Sequence, residues 1–286
     1  MDKGVPPAPP SAPKRPLPVG AWDAHAHLLG GPEHPLSPTR VEDPAPGIDL
    51  GGWLRMYRAH LDALGCSKGL IVHSILYGTD NTVTLAAVKA MGAGFAGVGL
   101  LPDGAGPDEI RAFADTNIVA VRLNYVHGGV LSWDGARAMA PALADHGLHI
   151  QMLLHADQHI ADLADDIRAL PVPLVIDHCA WPTTLNPNIP AIDTLCALLS
   201  EGHVYVKLSA PNRLTHTIDA AQPLMRKLIS ANPDQVLWGS DWPHIMLGDA
   251  HQPRAADLAD IVMEIASTDE QQKIFVTNPD RLFAPA

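Results

Sequence analysis

The feature that most limits what this chain can fold into is a repeated alternation. Short, nearly continuous apolar runs are each followed by an amphipathic stretch of helix length. The runs fall at 21–27, 69–73, 95–101, 118–124, 148–154, 172–178, 204–209 and 236–241, and the helical stretches at 53–64, 81–91, 107–116, 134–146, 157–170, 189–201, 222–232 and 255–266. Strands apolar along their whole length need cover on both faces, which parallel strands joined by helical crossovers receive. Cues such as Asp108-Glu109 and Asp134 mark helix starts. Eight such units predict a (β/α)8 TIM barrel over 19–286, one domain preceded by a Pro-rich arm at 1–18. An open doubly wound sheet is the alternative; it would use fewer strands, and no G-x-G-x-x-G follows the first.

Composition narrows the function. The arm holds seven of the 27 prolines and no apolar core of a secretory signal, and no apolar run reaches membrane-spanning length. A net charge of -12 without a Lys/Arg cluster argues against nucleic acid or an anionic membrane as partner. Cys66, Cys179 and Cys196 are odd in number and form no C-x-x-C, so a reduced, cytoplasmic protein is expected.

Barrel active sites gather where strands end, which makes the polar residues there informative. The first strand ends in Trp22-Asp23-Ala24-His25-Ala26-His27. Alternation sends His25 and His27 to the same side, about 7 Å apart along the strand. Taken alone, the pair reads as structural histidines. Yet strand four offers Arg122 and Asn124, strand five ends at His155, and strand six ends in Asp177-His178. Lys207 lies on strand seven with Arg213 beyond it, and strand eight ends in Asp241. Each has a bland account, but so many titratable groups at the same end point to a pocket built for electrophile and base chemistry. There is no serine nucleophile elbow, and no cysteine sits beside these groups in a way that suggests covalent catalysis. His34, His60, His73, His127, His146, His149, His159, His203, His216 and His251 are read as surface or packing residues, and His244 as a neighbour of Asp241.

The motifs His25-Ala26-His27, Val175-Ile176-Asp177-His178 and Trp238-Gly239-Ser240-Asp241-Trp242-Pro243-His244 resemble the amidohydrolase superfamily. With Gly78-Thr79-Asp80-Asn81, Val121-Arg122-Leu123-Asn124-Tyr125 and Val276-Thr277-Asn278-Pro279-Asp280-Arg281-Leu282, the chain is most similar to the 2-pyrone-4,6-dicarboxylate lactonase-like branch, from Pro18 to Phe283. The resemblance implies a hydrolase that opens the ester bond of a small, anionic, carboxylated lactone. It makes Asp241 the base toward water and His25, His27 and His178 the groups that polarise the carbonyl. Arg122, Arg213, Asn124, Thr79, Trp181 and His155 become substrate contacts. The branch works without a cofactor, so none is required; relatives that use a divalent metal such as zinc make His25, His27, His178 and Asp241 candidate ligands. Two arginines that the branch uses to grip carboxylates appear here as Gly128 and Trp181, and Ile75-Leu76-Tyr77 is more apolar than the branch implies. A lactone with one carboxylate and an apolar or aromatic group is therefore expected. The alternatives are a lactone isomerase or metal-dependent aromatic acid decarboxylase on the same barrel, and a non-catalytic small-acid binding protein.

Overall fold

Runs apolar on both faces find cover on both. The computed structural model describes residues 2–40, 42–247 and 252–283. Eight strands, β1 (Trp22–Ala26), β2 (Lys68–Val72), β3 (Phe95–Gly99), β4 (Ile118–Asn124), β5 (His149–Leu153), β6 (Leu174–Ile176), β7 (Val204–Leu208) and β8 (Val236–Trp238), follow one another in chain order in one sheet, with every pair parallel. The ring closes just past β8, where Asp241 N donates to His25 O at 2.8 Å and His27 N to Trp242 O at 2.7 Å. The result is the expected (β/α)8 barrel.

Helices α1 (Leu50–Leu64), α2 (Thr82–Met91), α3 (Pro107–Ala114), α4 (Trp133–Asp145), α5 (Ala156–Arg168), α6 (Pro190–Glu201), α7 (Gln222–Ala231) and α8 (Ala255–Ile265) cover the outside. Their ends follow local chemistry. The side chain of Asp49 accepts from Gly52 N at the start of α1, and Gly65, at φ 81°, ends it. Inside the barrel Trp22, Leu70, Val98, Val175 and Leu237 form an apolar floor. Phe283, from the final helix Asn278–Phe283, plugs it, edge-on to Trp22 and stacked on His149. That end is sealed, so the opposite, C-terminal end of the strands carries the opening.

Two predicted strands stop short. Run 172–178 is a strand only over Leu174–Ile176, because His178, Cys179, Ala180 and Trp181 are all left-handed, with φ from 34 to 60°. Run 236–241 ends at Trp238, and Asp241 has φ 62°. Such non-glycine backbone is costly and is held by its surroundings. In both places the polar residues leave the ladder to face the barrel mouth. In the Pro-rich stretch, Lys14 N donates to Asp260 Oδ1 at 2.8 Å and Leu17 is buried. The reading of His251 and the domain's last residues, 284–286, lie outside the described residues. Among the described residues no helix is long and apolar enough to cross a membrane.

Candidate active site

The site is assembled from five strand ends, those of β1, β4, β6, β7 and β8. At the end of β1, His25 and His27 do point the same way, and both are buried, with Nε2 atoms 3.3 Å apart. His27 Nδ1 donates to Val72 O at 2.8 Å, since a carbonyl only accepts. His25 Nδ1 lies 3.2 Å from Lys207 Nζ and 3.3 Å from Asp177 Oδ1. Past β6, the ring of His178 meets Ser209 Oγ at 2.8 Å. Past β8, Asp241 accepts from Arg213 Nε at 2.8 Å through Oδ2. Its Oδ1 sits 3.6, 3.8 and 3.9 Å from Nε2 of His27, His25 and His178, with no hydrogen-bond donor among the described residues.

Residues around Asp241 fix its place. Gly239 passes so close to β1 that a Cβ there would stand 2.6 Å from that of His25. Ser240 donates to Asp23 through its backbone N at 2.8 Å and its hydroxyl at 2.6 Å, and Tyr57 adds a third bond at 3.1 Å. Asp23, which the sequence reading left aside, thus binds β1 to the segment after β8.

Charge is concentrated here despite burial. At the cavity wall Arg122 and Arg213 stand against Asp241 alone, one positive charge in excess, while Lys207 lies behind it with Asp177 and Asp23. The pocket therefore favours an anionic ligand although the whole chain is acidic. Burial alone would raise the pKa of Asp241, but Arg213 and the imidazoles outweigh it and hold the carboxyl well below the usual carboxylate range. Burial raises and Lys207 lowers Asp177, with the same net direction. Burial brings His178 down to about 4 and Lys207 to about 8, and lowers His25 and His27. Neutral imidazoles around an ionised carboxylate follow.

Two adjoining cavities open above these groups. The smaller, about 40 Å³, is walled by His27, His178, Asp241, Arg213 and Trp181. The larger, about 470 Å³, is lined by His73, Thr79, Gly128 and Gly129, and Arg122 and Asn124 border both. His25 is fully buried behind the wall. Of the residues predicted to contact substrate, His155 lines neither cavity. It sits at the cap of α5, and its Nδ1 donates to Trp181 O at 2.7 Å, supporting that indole. His73, read as a surface or packing residue, is instead at the cavity wall: its carbonyl accepts from Arg122, and its Nε2 and Arg122 Nε are buried without partners among the described residues. The ring of His244 is buried beside Asp241 without a partner among the described residues, while its backbone N donates to Asp241 O at 2.8 Å.

Ligand atoms of His25, His178 and Asp241 all lie within 4.8 Å of one another. The orphaned Asp241 Oδ1 and two imidazole nitrogens are donors of the kind zinc takes, so the trio fits a divalent ion in type and spacing. His27, the fourth residue expected in such a set, stands outside that trio.

Residues 22–284 match the family model described as Amidohydrolase. The chain belongs to the amidohydrolase family. Among relatives of this amidohydrolase, a 2-pyrone-4,6-dicarboxylate hydrolase of Comamonas testosteroni is 32% identical, with 96% of this chain and 94% of the relative aligned. A 4-sulfomuconolactone hydrolase of Hydrogenophaga intermedia is 31% identical over 93% of this chain and 89% of its own length. An apo crystal structure from Agrobacterium tumefaciens shares the fold at 20% identity, with a TM-score of 0.85 over 97% of this chain and 98% of that one.

Proposed function

We propose that this amidohydrolase opens a small carboxylated lactone by adding water to its ring ester. The observation that carries the reading is Asp241: a buried, ionised carboxylate with one oxygen tied to Arg213 and the other facing a cavity ringed by imidazoles. Two relatives that act on lactones, aligned over nearly their whole length, support it.

In this reading Asp241 Oδ1 takes a proton from water as the oxygen attacks the lactone carbonyl carbon. Arg122 and His178, at the wall beside His27 and backed by His25, face the carbonyl oxygen while charge develops on it. The ring C–O bond then breaks, and Asp241 returns the proton to the departing ring oxygen, giving a hydroxy acid. A divalent cation, when bound, would be held by His25, His178 and Asp241 and would acidify a water there; the steps above need none.

The substrate's carboxylate would pair with Arg122 and Arg213. The larger cavity, where Gly128 and Gly129 contribute no side chain, and the Trp181 indole suit an apolar or aromatic portion better than a second carboxylate. The test is a panel of mono- and dicarboxylated lactones assayed by proton release, with and without chelator. A monocarboxylated, apolar lactone should turn over fastest and survive chelation. Equal rates on a dicarboxylate would sink the substrate assignment, and binding without turnover across the panel would sink the hydrolase.

A further inference from the structure

The hydrogens on His25 and His27 can be worked out from the fixed end of their contacts. Val72 O only accepts, so His27 Nδ1 carries a hydrogen and, in the neutral ring, Nε2 is bare. That bare nitrogen lies 3.3 Å from His25 Nε2, so the contact is a hydrogen bond only if His25 Nε2 is the donor. His25 Nδ1 must then accept, and Lys207 Nζ, 3.2 Å away, is the donor that meets it. Asp177 Oδ1 lies 3.3 Å from the same nitrogen, but it is also 3.4 Å from Lys207 Nζ and neutralises the ammonium.

We propose that Lys207 is a positioning residue that sets the tautomer of His25, making one directed chain from Lys207 through His25 and His27 to Val72. The opposite tautomer, with His25 Nδ1–H turned to Asp177, would leave two bare nitrogens facing each other at 3.3 Å and would free His25 Nε2 as a ligand for a cation held with His178 and Asp241. Lys207 thus biases the pair toward the metal-free state, with the one N–H of the pair's two Nε2 atoms held between the rings. Burial, which lowers both imidazole pKa values, agrees with two neutral rings. The inference deepens the proposed reading of the site, but its geometry does not depend on the substrate.

The test is nitrogen-15 NMR of the full chain, metal-free and without substrate, with labelled histidine. Long-range couplings should report opposite tautomers, Nε2–H for His25 and Nδ1–H for His27; Nδ1–H on both rings overturns the proposal whatever the lactone panel gives. Lys207→Met should turn His25 to Nδ1–H and tighten zinc binding, titrated against a chelating dye, by about ten- to a hundredfold. Lys207→Gln, which keeps a donor, should leave both properties near wild type. Lys207→Met with unchanged tautomer and zinc affinity overturns it too. Should that variant not fold, the wild-type spectrum still decides.

Discussion

Arg213 Nε holds one oxygen of Asp241 at 2.8 Å and leaves the other directed at three imidazoles, without a donor among the described residues. A carboxylate bound on one side only is both oriented and still able to accept a proton. Asp241→Asn keeps the shape and the bond-accepting oxygen but loses the basicity. It should reduce kcat on the best lactone by about a hundred- to ten-thousandfold while circular dichroism stays unchanged. Near-normal turnover in that variant would remove Asp241 as the base.

Arg122 borders both cavities and its Nε has no partner among the described residues, as expected of a group awaiting an anion. Arg122→Met should raise KM for a carboxylated lactone by roughly ten- to a hundredfold, the worth of a hydrogen bond to a charged group. An uncharged lactone of similar size should lose much less. If both suffer alike, Arg122 supports the fold and does not read the carboxylate.

Ser240 gives Asp23 two hydrogen bonds, and its hydroxyl also accepts from Trp242 N at 3.0 Å. Burial lifts the Asp23 carboxyl to about 6 against these bonds. Because that pKa is raised, the group stabilises the fold as pH falls through 6 and costs stability once it ionises above. Its donors limit that cost. Ser240→Ala should lower stability at pH 7.5 by about 1–3 kcal/mol, read from urea midpoints, and disturb activity through the neighbouring Asp241.

His25, His27, His178 and Asp241 were legible because strand ends in a parallel barrel converge, and linear order is enough to locate them. Lys207 could be placed on β7, but its meeting with His25 spans 182 positions and depends on barrel closure. His155 stood at a strand end like the others, yet its ring turns to the Trp181 carbonyl, because position along a strand does not give side-chain direction once the strand has ended. The shortening of β6 and β8 had the same origin. The left-handed residues after them carry ordinary L side chains, and Gly239, the one glycine there, is not among them.

Histidines set the expected response to acid. Burial foremost lowers His60 and His178 to about 4 and His73, His149 and His244 to about 3, against an ordinary value of 6.5. Between those values and 6.5 the unfolded chain binds protons that the folded chain refuses. Their stabilisation is therefore complete above pH 6.5 and declines as pH falls toward 4, each ring contributing about 1.4 kcal/mol per pH unit where the difference is full. Asp23 acts oppositely between 3.8 and about 6, but it is one group against five. Urea unfolding should show a large loss of stability from pH 7.5 to 5.0. His149 stacks on Phe283 at the closed end of the barrel, away from the site, so His149→Gln should flatten that slope by about one ring's share without changing kcat. Equal stability at the two pH values in the wild type would show that the buried rings do take up protons when folded.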